Sequence, residues 1–519
     1  MGARTAGAAR LPYCVFGIFD DVKRDDVRMD ISCDGFGNCC NYPKTHFGYV
    51  RWNGDYCSNA VRHSLALTII ITLLFIRLSD TIDHSSENCI IRPQECDGEQ
   101  KAMTKINWDE SAELDKLAEL SIKTGVALQQ GQDLIITAPI EAAPLVRKLA
   151  YHAYKAGAGI VTPFYTDPEV VLSRYKNADK TSFEKATDWL FDGMANAFDK
   201  NTARLAVVGD DPMLLAEQNP EDVGQANKAV SKASSSVRER ITRFDVNWNI
   251  IAWPGTRWAK RVFPDLSDQD AQVALADAIF AASRVTMPDP ISAWDAHNRR
   301  LRERTNWLNT QNFAALHFYG DGTDLMVGLA QDHEWMGGAS VARNGVTCNP
   351  NIPTEEVFTT PHASNVNGHV KSTKPLSHQG TLIEDISVTF KDGLITDASA
   401  SKGEEVFLKL LDTDEGARRL GEVALVPHGS PISQSGLLFY NTLFDENAAC
   451  HIALGQCYSK CFKNGSELSN DEVVARGGNS SMIHVDWMIG SGAINIDGLD
   501  AEGNKIPVFR NGEWASYAV

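Results

Sequence analysis

Asp133-Leu134-Ile135-Ile136-Thr137-Ala138, followed by Pro139, is the stretch of sequence that decides the fold class. A short apolar run of this kind is typical of a strand that is buried on both faces. Apolar residues recur near helical spacing just before it, between residues 111 and 124, and a second helical pattern follows at residues 142–156. The stretch therefore predicts a central strand with a helix on either side of it along the chain.

Three further apolar runs repeat this strand pattern, at residues 159–163, 204–209 and 249–254. Strands that alternate with helices are typical of a parallel sheet that is covered on both faces. None of the predicted strands is followed by G-x-G-x-x-G or G-x-x-x-x-G-K-S/T, so the sequence lacks the usual phosphate-binding loop of nucleotide-binding proteins. We therefore predict an α/β domain at residues 107–290.

The pattern changes after Pro288 and Pro290. An amphipathic helix is predicted from Ser292 to Asn309, and its arginines are interpreted as a solvated face. The chain then becomes rich in short strands, and Lys391-Asp392-Gly393 predicts a hairpin turn. We predict a mixed, mainly antiparallel, β-rich domain at residues 291–519. Further turns of this domain are predicted at three pairs of residues: Asp497-Gly498, Glu502-Gly503 and Asn511-Gly512.

The overall charge restricts the class of partner. The chain has 519 residues and a formal net charge of -18 at pH 7. Nucleic acids and anionic membrane surfaces are bound through basic patches, so this charge argues against both as the main partner. Seven of the eleven cysteines lie before residue 100. Because the rest of the chain is poor in cysteine, we predict a reduced, cytoplasmic environment.

The first hundred residues differ from the rest of the sequence. They combine clustered cysteines with one apolar run from Leu65 to Ile76, which is shorter than the about 20 residues that a membrane-spanning helix needs. We interpret residues 1–106 as an extension that is disordered or is not part of the native protein, and we assign no function to it. Helical patterning begins just after Met103, which makes this residue a natural start.

Four short segments of the second domain contain the residues that could carry chemistry. The first is residues 351–358, in which Pro353 favours extended geometry for the residue before it. In an extended segment Glu355 and Glu356 point to opposite sides, so at most one of them is expected to be a direct metal ligand. The plainer alternative is an exposed acidic strand end.

The second and third segments add two carboxylates and a histidine. Glu422 opens the apolar run at residues 421–427, where a solvated strand edge is the plainer alternative. Glu446 and His451 would be offset by about 140° on one helix, so a shared metal ion would need a bend or a loop between them. Tyr458 follows this segment.

The fourth segment is residues 481–490, in which His484 and Asp486 lie among apolar neighbours. In a strand these two residues lie on the same face, since side chains repeat every two residues. Burying both beside apolar residues is costly without a partner, which favours a metal-binding pair over the alternative of a core salt bridge. Cys457 and Cys461 form a C-x-x-x-C pair without a second pair of similar spacing, so buried structural thiols are favoured over a zinc site.

Together these segments offer a carboxylate-rich set of side chains with few histidines. Such a set suits hard or borderline divalent ions, and a pair of ions needs about this many ligands. The sequence contains no H-E-x-x-H, which counts against a mononuclear zinc protease of that type, and no G-x-S-x-G, which counts against a serine hydrolase. We therefore predict a dinuclear metal site in the second domain.

The four segments, in this order, resemble the M29 family of metallo-aminopeptidases, the thermophilic-type group that includes aminopeptidases T and S. The resemblance runs from about Leu114 to Trp514 and is strongest at residues 353–361, 402–427, 442–455 and 476–490. It implies an α/β fold, with a parallel N-terminal domain followed by a β-rich mixed catalytic domain. It also implies a cytoplasmic homodimer that removes N-terminal residues from peptides.

The resemblance also implies the roles of the site residues. Two divalent ions (Zn, Co, Mn or Mg) are expected to activate a water molecule for hydrolysis of the N-terminal peptide bond. Tyr458 is the expected oxyanion donor, and we interpret Glu355 as the candidate general base. The expected partners are peptides with a free N-terminus, without nucleic acid or membrane. The expected metal ligands are Glu356, Glu422, Glu446, His451, His484 and Asp486.

Two other functions stay open on the sequence. The first is a dinuclear hydrolase for another bond, such as a phosphoester, although no basic cluster is expected beside the four segments to hold phosphate. The second is a non-catalytic binding or scaffold protein whose carboxylates form buried salt bridges. That protein would take up no metal and would have no activity for a chelator to remove.

Overall fold

The computed structural model describes residues 107–320, 322–378 and 380–516. The predicted extension at residues 1–106 therefore lies wholly outside the described residues. The strands that the structure describes are β1 Leu134–Pro139, β2 Val161–Thr166, β3 Ala203–Val208, β4 Trp248–Ala252, β5 Ala315–Gly320, β6 Thr323–Leu329, β7 Ser340–Val341, β8 Thr347–Cys348, β9 Val357–Thr359, β10 Pro361–Lys371, β11 Leu376–His378, β12 Thr381–Ile383, β13 Ser387–Lys391, β14 Leu394–Ser399, β15 Leu420–Leu425, β16 His451–Gly455, β17 His484–Met488, β18 Asn495–Leu499, β19 Lys505–Arg510 and β20 Glu513–Trp514.

Helices precede and separate the first four strands and become short and sparse later in the chain. The α-helices are α1 Ala112–Leu120, α2 Ala143–Lys155, α3 Pro168–Asn177, α4 Asp188–Asp199, α5 Pro220–Ala233, α6 Ser235–Thr242, α7 Thr256–Val262, α8 Asp268–Ala282, α9 Pro290–Gln311, α10 Glu404–Leu411, α11 Pro431–Ser435, α12 Thr442–Asp445 and α13 Asn470–Ala475. No helix within the described ranges is both long and apolar enough to span a membrane.

The first sheet is parallel, with the strand order β2-β1-β3-β4. The central strand β1 is almost completely buried, as its apolar run predicts, and β3 pairs with it along most of its length. Helices α1 and α2 flank β1 along the chain and pack on each other. The predicted α/β fold class is therefore confirmed, and each of the four predicted strands is present with ends that shift by one to three residues.

The second half of the chain forms two larger antiparallel sheets. One has eight strands in the order β14-β13-β10-β6-β5-β18-β19-β20, and the other has four in the order β17-β16-β15-β9. The predicted hairpin joins β13 to β14, and its central residues Asp392 and Gly393 have φ values of 50° and 78°. Two positive φ values define the type I′ turn that an Asp-Gly pair favours.

One predicted turn is wrong. Asp497-Gly498 lies inside β18 and pairs with both β5 and β19. A β carbon added to Gly498 would lie 2.5 Å from the ring of Phe313, so this glycine allows an aromatic ring to pack on the strand. The carboxylate of Asp497 forms an ion pair with Arg510 on the neighbouring strand. Asp497 and Gly498 therefore stabilise strand packing, although an Asp-Gly pair usually indicates a turn.

The hydrophobic core of the first sheet contains residues from much later in the chain. Ile432, Phe439 and Phe444 are buried in the same cluster as β1 and its helices. The indole nitrogen of Trp258 on α7 donates a hydrogen bond to the carbonyl oxygen of Phe439, and the rings of Phe439 and Phe444 stack at 4.7 Å between centroids. The segment around α11 and α12 thus completes the first core, although it follows the first sheet by almost two hundred residues.

Candidate metal centre

The register of the four-stranded sheet positions most of the candidate ligands. Glu422 on β15 and Asp486 on β17 both pair with Ala453, which lies between them on β16. His451 is two residues from Ala453, and His484 is two residues from Asp486, so all of these side chains share one face of the sheet. The small side chain of Ala453 leaves space between the two carboxylates.

Glu356 joins this face from the fourth strand. It lies just before β9, in which Phe358 pairs with Ala424 of β15, so alternation places Glu356 on the same face as Glu422. A side chain from another segment holds the backbone next to Glu356. The Glu355 N–H donates a 2.7 Å hydrogen bond to the side-chain oxygen of Asn447.

Asn447 also donates to the carbonyl oxygen of Leu443, and it is buried. It follows the candidate ligand Glu446 directly and so ties two ligand segments together. Sequence reasoning missed this residue, because an isolated asparagine has no motif that would distinguish it.

Both histidines present Nε2 to the cluster. Nδ1 of His451 lies 3.1 Å from the carbonyl oxygen of Ala449, and Nδ1 of His484 lies 2.7 Å from that of Gln456. A carbonyl oxygen only accepts hydrogen bonds, so Nδ1 carries the proton in each case. Nε2 of the neutral imidazole is then free to act as a metal ligand.

The donor atoms form two overlapping groups. Glu356, Glu422 and His451 form the first, Glu422, His484 and Asp486 form the second, and the donor atoms of each group lie within 4.8 Å of one another. One carboxylate oxygen of Glu422 lies 3.6 Å from Nε2 of His451, and the other lies 3.6 Å from Nε2 of His484. The two oxygens of Glu422 therefore face different groups.

Two buried atoms of the cluster have unused hydrogen-bonding capacity. Nε2 of His451 and Oδ1 of Asp486 make no hydrogen bond to any residue within the described ranges. Nε2 of His451 does lie 3.2 Å from a carboxylate oxygen of Glu356, and Oδ1 of Asp486 lies 3.5 Å from Nε2 of His484, so both atoms have only ion-pair contacts within the cluster. A buried polar atom without a partner costs free energy, and nitrogen and oxygen donors of this kind suit Zn²⁺, Co²⁺ and Mn²⁺. The donor set thus fits divalent cations.

Glu446 lies in the same cavity but belongs to neither group of three. It begins a short 3-10 turn, Glu446–Ala448, after which His451 opens β16. The chain therefore bends between Glu446 and His451, which removes the offset that one continuous helix would impose. Burial raises the pKa of Glu446 well above its ordinary value, and the charges of Glu356 and Asp486 raise it further.

Burial and mutual charge also change the protonation of the other residues. Burial raises the pKa of Glu422 to about 7, and the charge of Asp486 contributes to this increase. Burial opposes the charged form of His484, but Asp486 and Glu422 outweigh it and raise the pKa of His484 to about 10. In the metal-free protein, the clustered carboxylates therefore favour bound protons on Glu422 and His484. A bound cation would replace these protons as the source of positive charge.

Tyr458 borders the cluster. The centroid of its ring lies 4.8 Å from that of His484 and 6.1 Å from that of Phe358, and the residue is 41% exposed. Desolvation raises the pKa of Tyr458 well above its ordinary value, and the carboxylates of Glu422 and Asp486 add to the effect. Its hydroxyl therefore keeps its proton at neutral pH and can donate a hydrogen bond.

Glu355 is not brought into the cluster, although it was expected there as the general base. One of its carboxylate oxygens lies 2.7 Å from the guanidinium of Arg284, and the other lies 3.7 Å from Nε2 of His297. Burial raises the pKa of Glu355, and Arg284 opposes this increase. Because extended backbone sends neighbouring side chains to opposite sides, the position of Glu356 excludes Glu355 from the same cavity. The structure therefore places Glu355 outside the cavity of the candidate ligands, and its role as the general base stays a prediction.

A separate cavity of about 520 Å³ lies beside Glu355 and is lined by Arg284, Arg300 and Arg304. The arginines of α9 were predicted to form a solvated face, but Arg304 is half-buried. A basic cluster does lie near the first segment, contrary to the expectation from sequence. It lines a different cavity from the candidate ligands, so it provides no phosphate-binding group at the metal centre.

The candidate ligands line a cavity of about 530 Å³, a volume typical of small-ligand sites. Its lining also includes Phe244, Trp248, Met336 and Lys460. Phe244 and Trp248 come from the α/β part of the chain, more than a hundred residues before the first candidate ligand. Sequence reasoning did not identify Phe244, Trp248 and Met336, because only the folded chain brings them to the cavity. It also missed Lys460, which is close to Tyr458 in the sequence but belongs to no motif.

The cysteines of the second half are buried free thiols: Cys348, Cys450, Cys457 and Cys461. Burial raises the pKa of Cys450 to about 12 and that of Cys457 to about 11. They therefore stay protonated at neutral pH in the metal-free chain, and all four are buried, as expected of structural thiols.

Known proteins similar to this chain share almost all of its described length. A profile of the family described as thermophilic metalloprotease (M29) matches residues 110–514. Aminopeptidase T of Thermus thermophilus is 50% identical over 401 residues, which cover 77% of this chain and 98% of the relative. Aminopeptidase 2 of Geobacillus stearothermophilus is 45% identical over 408 residues, covering 79% and 98%. The solved structure of wild-type AmpT from Thermus thermophilus matches with a TM-score of 0.74 and 49% identity, covering 78% of this chain and 99% of that chain.

Proposed function

Because the chain belongs to the M29 family of metalloproteases and is a metallo-aminopeptidase, we propose that it hydrolyses the N-terminal bond of peptides at a dinuclear metal centre. In this proposal the ligands are Glu356, Glu422, Glu446, His451, His484 and Asp486. The ions are two divalent cations, with Zn, Co, Mn and Mg as the candidates. The proposed domains are those of the sequence pattern, at residues 107–290 and 291–519.

The observation that carries the proposal is the position of Glu422. Its two carboxylate oxygens face two different histidines, and it belongs to both groups of donor atoms. A carboxylate in this position can bridge two cations, whereas a single-ion site would need only one of the two groups.

Divalent cations bound here would supply Lewis acidity and would make hydroxide available near neutral pH. The hydroxyl of Tyr458, protonated and beside His484, donates a hydrogen bond to the oxygen on which negative charge develops during attack on the peptide carbonyl. Asn447 holds the backbone of the Glu355–Glu356 segment, so the Glu356 carboxylate keeps its direction.

The acidic character of the cavity accounts for the preference for a free N-terminus. Glu356, Glu422, Glu446 and Asp486 all line it, and a free α-amine is attracted to a carboxylate oxygen that the bound cations would leave available. A peptide whose amine is blocked loses this attraction. We further propose, from the resemblance alone, that the enzyme acts in the cytoplasm as a homodimer.

The proposal is tested by measuring release of free amino acids from a small panel of peptides. The purified protein is treated with a chelator, and Zn²⁺, Co²⁺, Mn²⁺ or Mg²⁺ is then added back separately. We expect activity to be lost on chelation and restored by at least one ion, and N-acetylated peptides to be poor substrates.

A phosphoester substrate and a metal-binding titration complete the design. Turnover of the phosphoester but of no peptide would favour a different dinuclear hydrolase. Folded protein that binds about one ion per chain at saturation, yet is fully active, would contradict the dinuclear centre.

A further inference from the structure

Lys460 is a cationic side chain in a cavity whose other charged groups belong to the metal centre. It lies in the short 3-10 turn Ser459–Cys461, two residues after Tyr458. Among the described residues that line this cavity, no other is a lysine or an arginine. The turn that carries the oxyanion donor therefore also brings one positive charge to the substrate cavity.

An aromatic ring and a carbonyl group hold the Lys460 ammonium. Its nitrogen lies 3.2 Å from the centroid of the Phe244 ring and 3.4 Å from the carbonyl oxygen of Val341. A cation over an aromatic face is attracted to it. Phe244 itself has a φ of 54°, an uncommon conformation for a residue of this size. Backbone hydrogen bonds to Ile241 and from Arg343 hold Phe244 in the turn that follows α6.

Lys460 has no carboxylate partner within ion-pair distance in the part of the chain that the structure describes. Burial lowers the pKa of Lys460 to about 8, and the thiols of Cys348 and Cys461 oppose this decrease. A half-buried ammonium without an anion is unfavourable. An anionic group that enters the cavity would therefore be stabilised here.

Peptide substrates bring such an anion with them. In the proposed function the α-amine goes to the carboxylates of the metal centre, and the rest of the peptide extends through the same cavity of about 530 Å³. A volume of this size accommodates a small ligand rather than a long chain. A short peptide carries its C-terminal carboxylate within the same cavity, where Lys460 is the described cationic side chain that lies outside the candidate ligand set.

Resting on the proposed function, we propose that Lys460 binds a substrate carboxylate on the C-terminal side of the scissile bond and makes the enzyme selective for short peptides that carry one. The carboxylate can come from the C-terminus of the peptide or from an acidic side chain next to the cleaved bond. A charge-assisted hydrogen bond of this kind corresponds to about a 10- to 100-fold gain in kcat/KM.

The test compares matched peptides that differ only in this charge. The pairs are Leu-Ala with Leu-Ala-amide, Leu-Ala-Ala with its amide, and Leu-Asp-amide with Leu-Asn-amide. We expect at least one pair to show a preference for the acid of about tenfold or more in the wild-type enzyme. The pair that shows it identifies the source of the carboxylate.

Lys460→Met removes the charge and keeps an unbranched side chain to pack on Phe244. We expect the ratio of kcat/KM for acid over amide to fall to about one in the variant, and a cooperative thermal unfolding transition shows that it folds. Lys463→Gln is the matched control, because Lys463 is exposed and does not line the cavity. It is expected to keep the wild-type preference.

Two results would overturn the inference. One is equal kcat/KM within every pair for an active wild-type enzyme, which leaves the proposed aminopeptidase function intact. The other is a preference that survives in Lys460→Met. If the metal-loaded wild-type enzyme released leucine from none of these peptides or any other, the proposed function itself would fail, and this inference with it.

Discussion

Glu422 lies in both groups of donor atoms, which makes it the most informative single residue to replace. Glu422→Gln keeps the shape of the side chain but removes the charge that both cations would share. We expect kcat/KM to fall by about 1,000-fold or more, since several kcal/mol of charge stabilisation are lost. The metal content of the purified protein, measured by mass spectrometry, is expected to fall as well.

Stability of the metal-free protein should respond differently. Glu422 is buried beside Glu356 and Asp486, whose charges oppose its ionisation, so a neutral glutamine removes repulsion and the melting temperature is expected to stay or rise. Glu405→Gln is the control, because Glu405 forms an exposed ion pair with Lys409 far from the site. Near-normal activity of Glu422→Gln would refute the assignment of this ligand.

Glu355→Gln separates a structural role from a catalytic one. The change leaves the buried Arg284 guanidinium without its anionic partner, so we expect the free energy of unfolding to fall by about 3–5 kcal/mol. We expect kcat to stay within about tenfold of the wild-type value, because Glu355 does not line the metal cavity. Urea unfolding and peptide turnover measure the two effects.

The opposite result has a clear meaning. A general base would contribute about 100- to 10,000-fold to the rate, so a loss of that size with unchanged stability would return Glu355 to the catalytic role that its sequence position suggested. Glu384→Gln serves as the control, since Glu384 pairs with Lys402 at the surface and should change stability by less than about 1 kcal/mol.

At the scale of elements, the metal centre depends on an irregularity in β15. The register of β15 and β16 shifts between Leu420 and Glu422, where Gly421 is the additional residue. A β carbon at Gly421 would lie 2.4 Å from the carbonyl oxygens of Gly455 and Gln456. The absence of a side chain thus lets the strands approach, and the shift directs Glu422 toward the cluster.

Gly421→Ala is therefore expected to separate the strands and displace Glu422. We expect the free energy of unfolding to fall by about 1–3 kcal/mol and the affinity for the metal to fall by about 10- to 100-fold. Calorimetry and metal titration measure both. Gly193→Ala, in α4 with open space around it, should instead stabilise the protein by about 0.5–1 kcal/mol. Wild-type metal affinity in Gly421→Ala would show that the shift has no role in the site.

Regular elements were predictable from the sequence because their patterns are local. The alternation at residues 481–490 placed His484 and Asp486 on one face, and β17 has that arrangement. The sequence alone could not predict which of Glu355 and Glu356 faces the cluster. That choice depends on Arg284, which pairs with Glu355, and on the sheet that Glu356 joins. The Asp497-Gly498 pair misled because Phe313, which packs on it, is distant in sequence.

At the scale of the whole molecule, the described residues contain the complete set of candidate ligands. The family profile begins at residue 110, so a protein that begins at Met103 should fold and keep the site. We expect its kcat/KM to lie within about twofold of the full chain, measured with the same peptides and the same metal.

Thermal unfolding of this shorter protein gives a second comparison. Saturating metal should raise its melting temperature, because a ligand at about 100 times its Kd stabilises the native state by about 2.7 kcal/mol. The full chain with metal is the control. A shorter protein that binds metal but has lost its activity would mean that the first hundred residues contribute to function.

The cavity residues mark the limit of sequence reasoning at this scale. Lys460 and Phe244 are more than two hundred residues apart, and neither belongs to a recognisable motif. Their meeting depends on how the α/β part and the β-rich part of the chain fold together. The cluster of candidate ligands was predictable because its segments are dense in carboxylates and histidines, whereas single residues contributed from elsewhere were not.

The late residues in the first core have a consequence for synthesis on the ribosome. Chains emerge at about 5–20 residues per second, and domains generally fold in the order in which they appear. Here the core around β1 and Trp258 lacks Phe439 and Phe444 until the chain is almost complete. The nascent α/β part therefore keeps apolar surface exposed for about ten to thirty seconds. Chaperone binding would protect this surface, and slowly translated codons between residues 258 and 444 would lengthen the exposure.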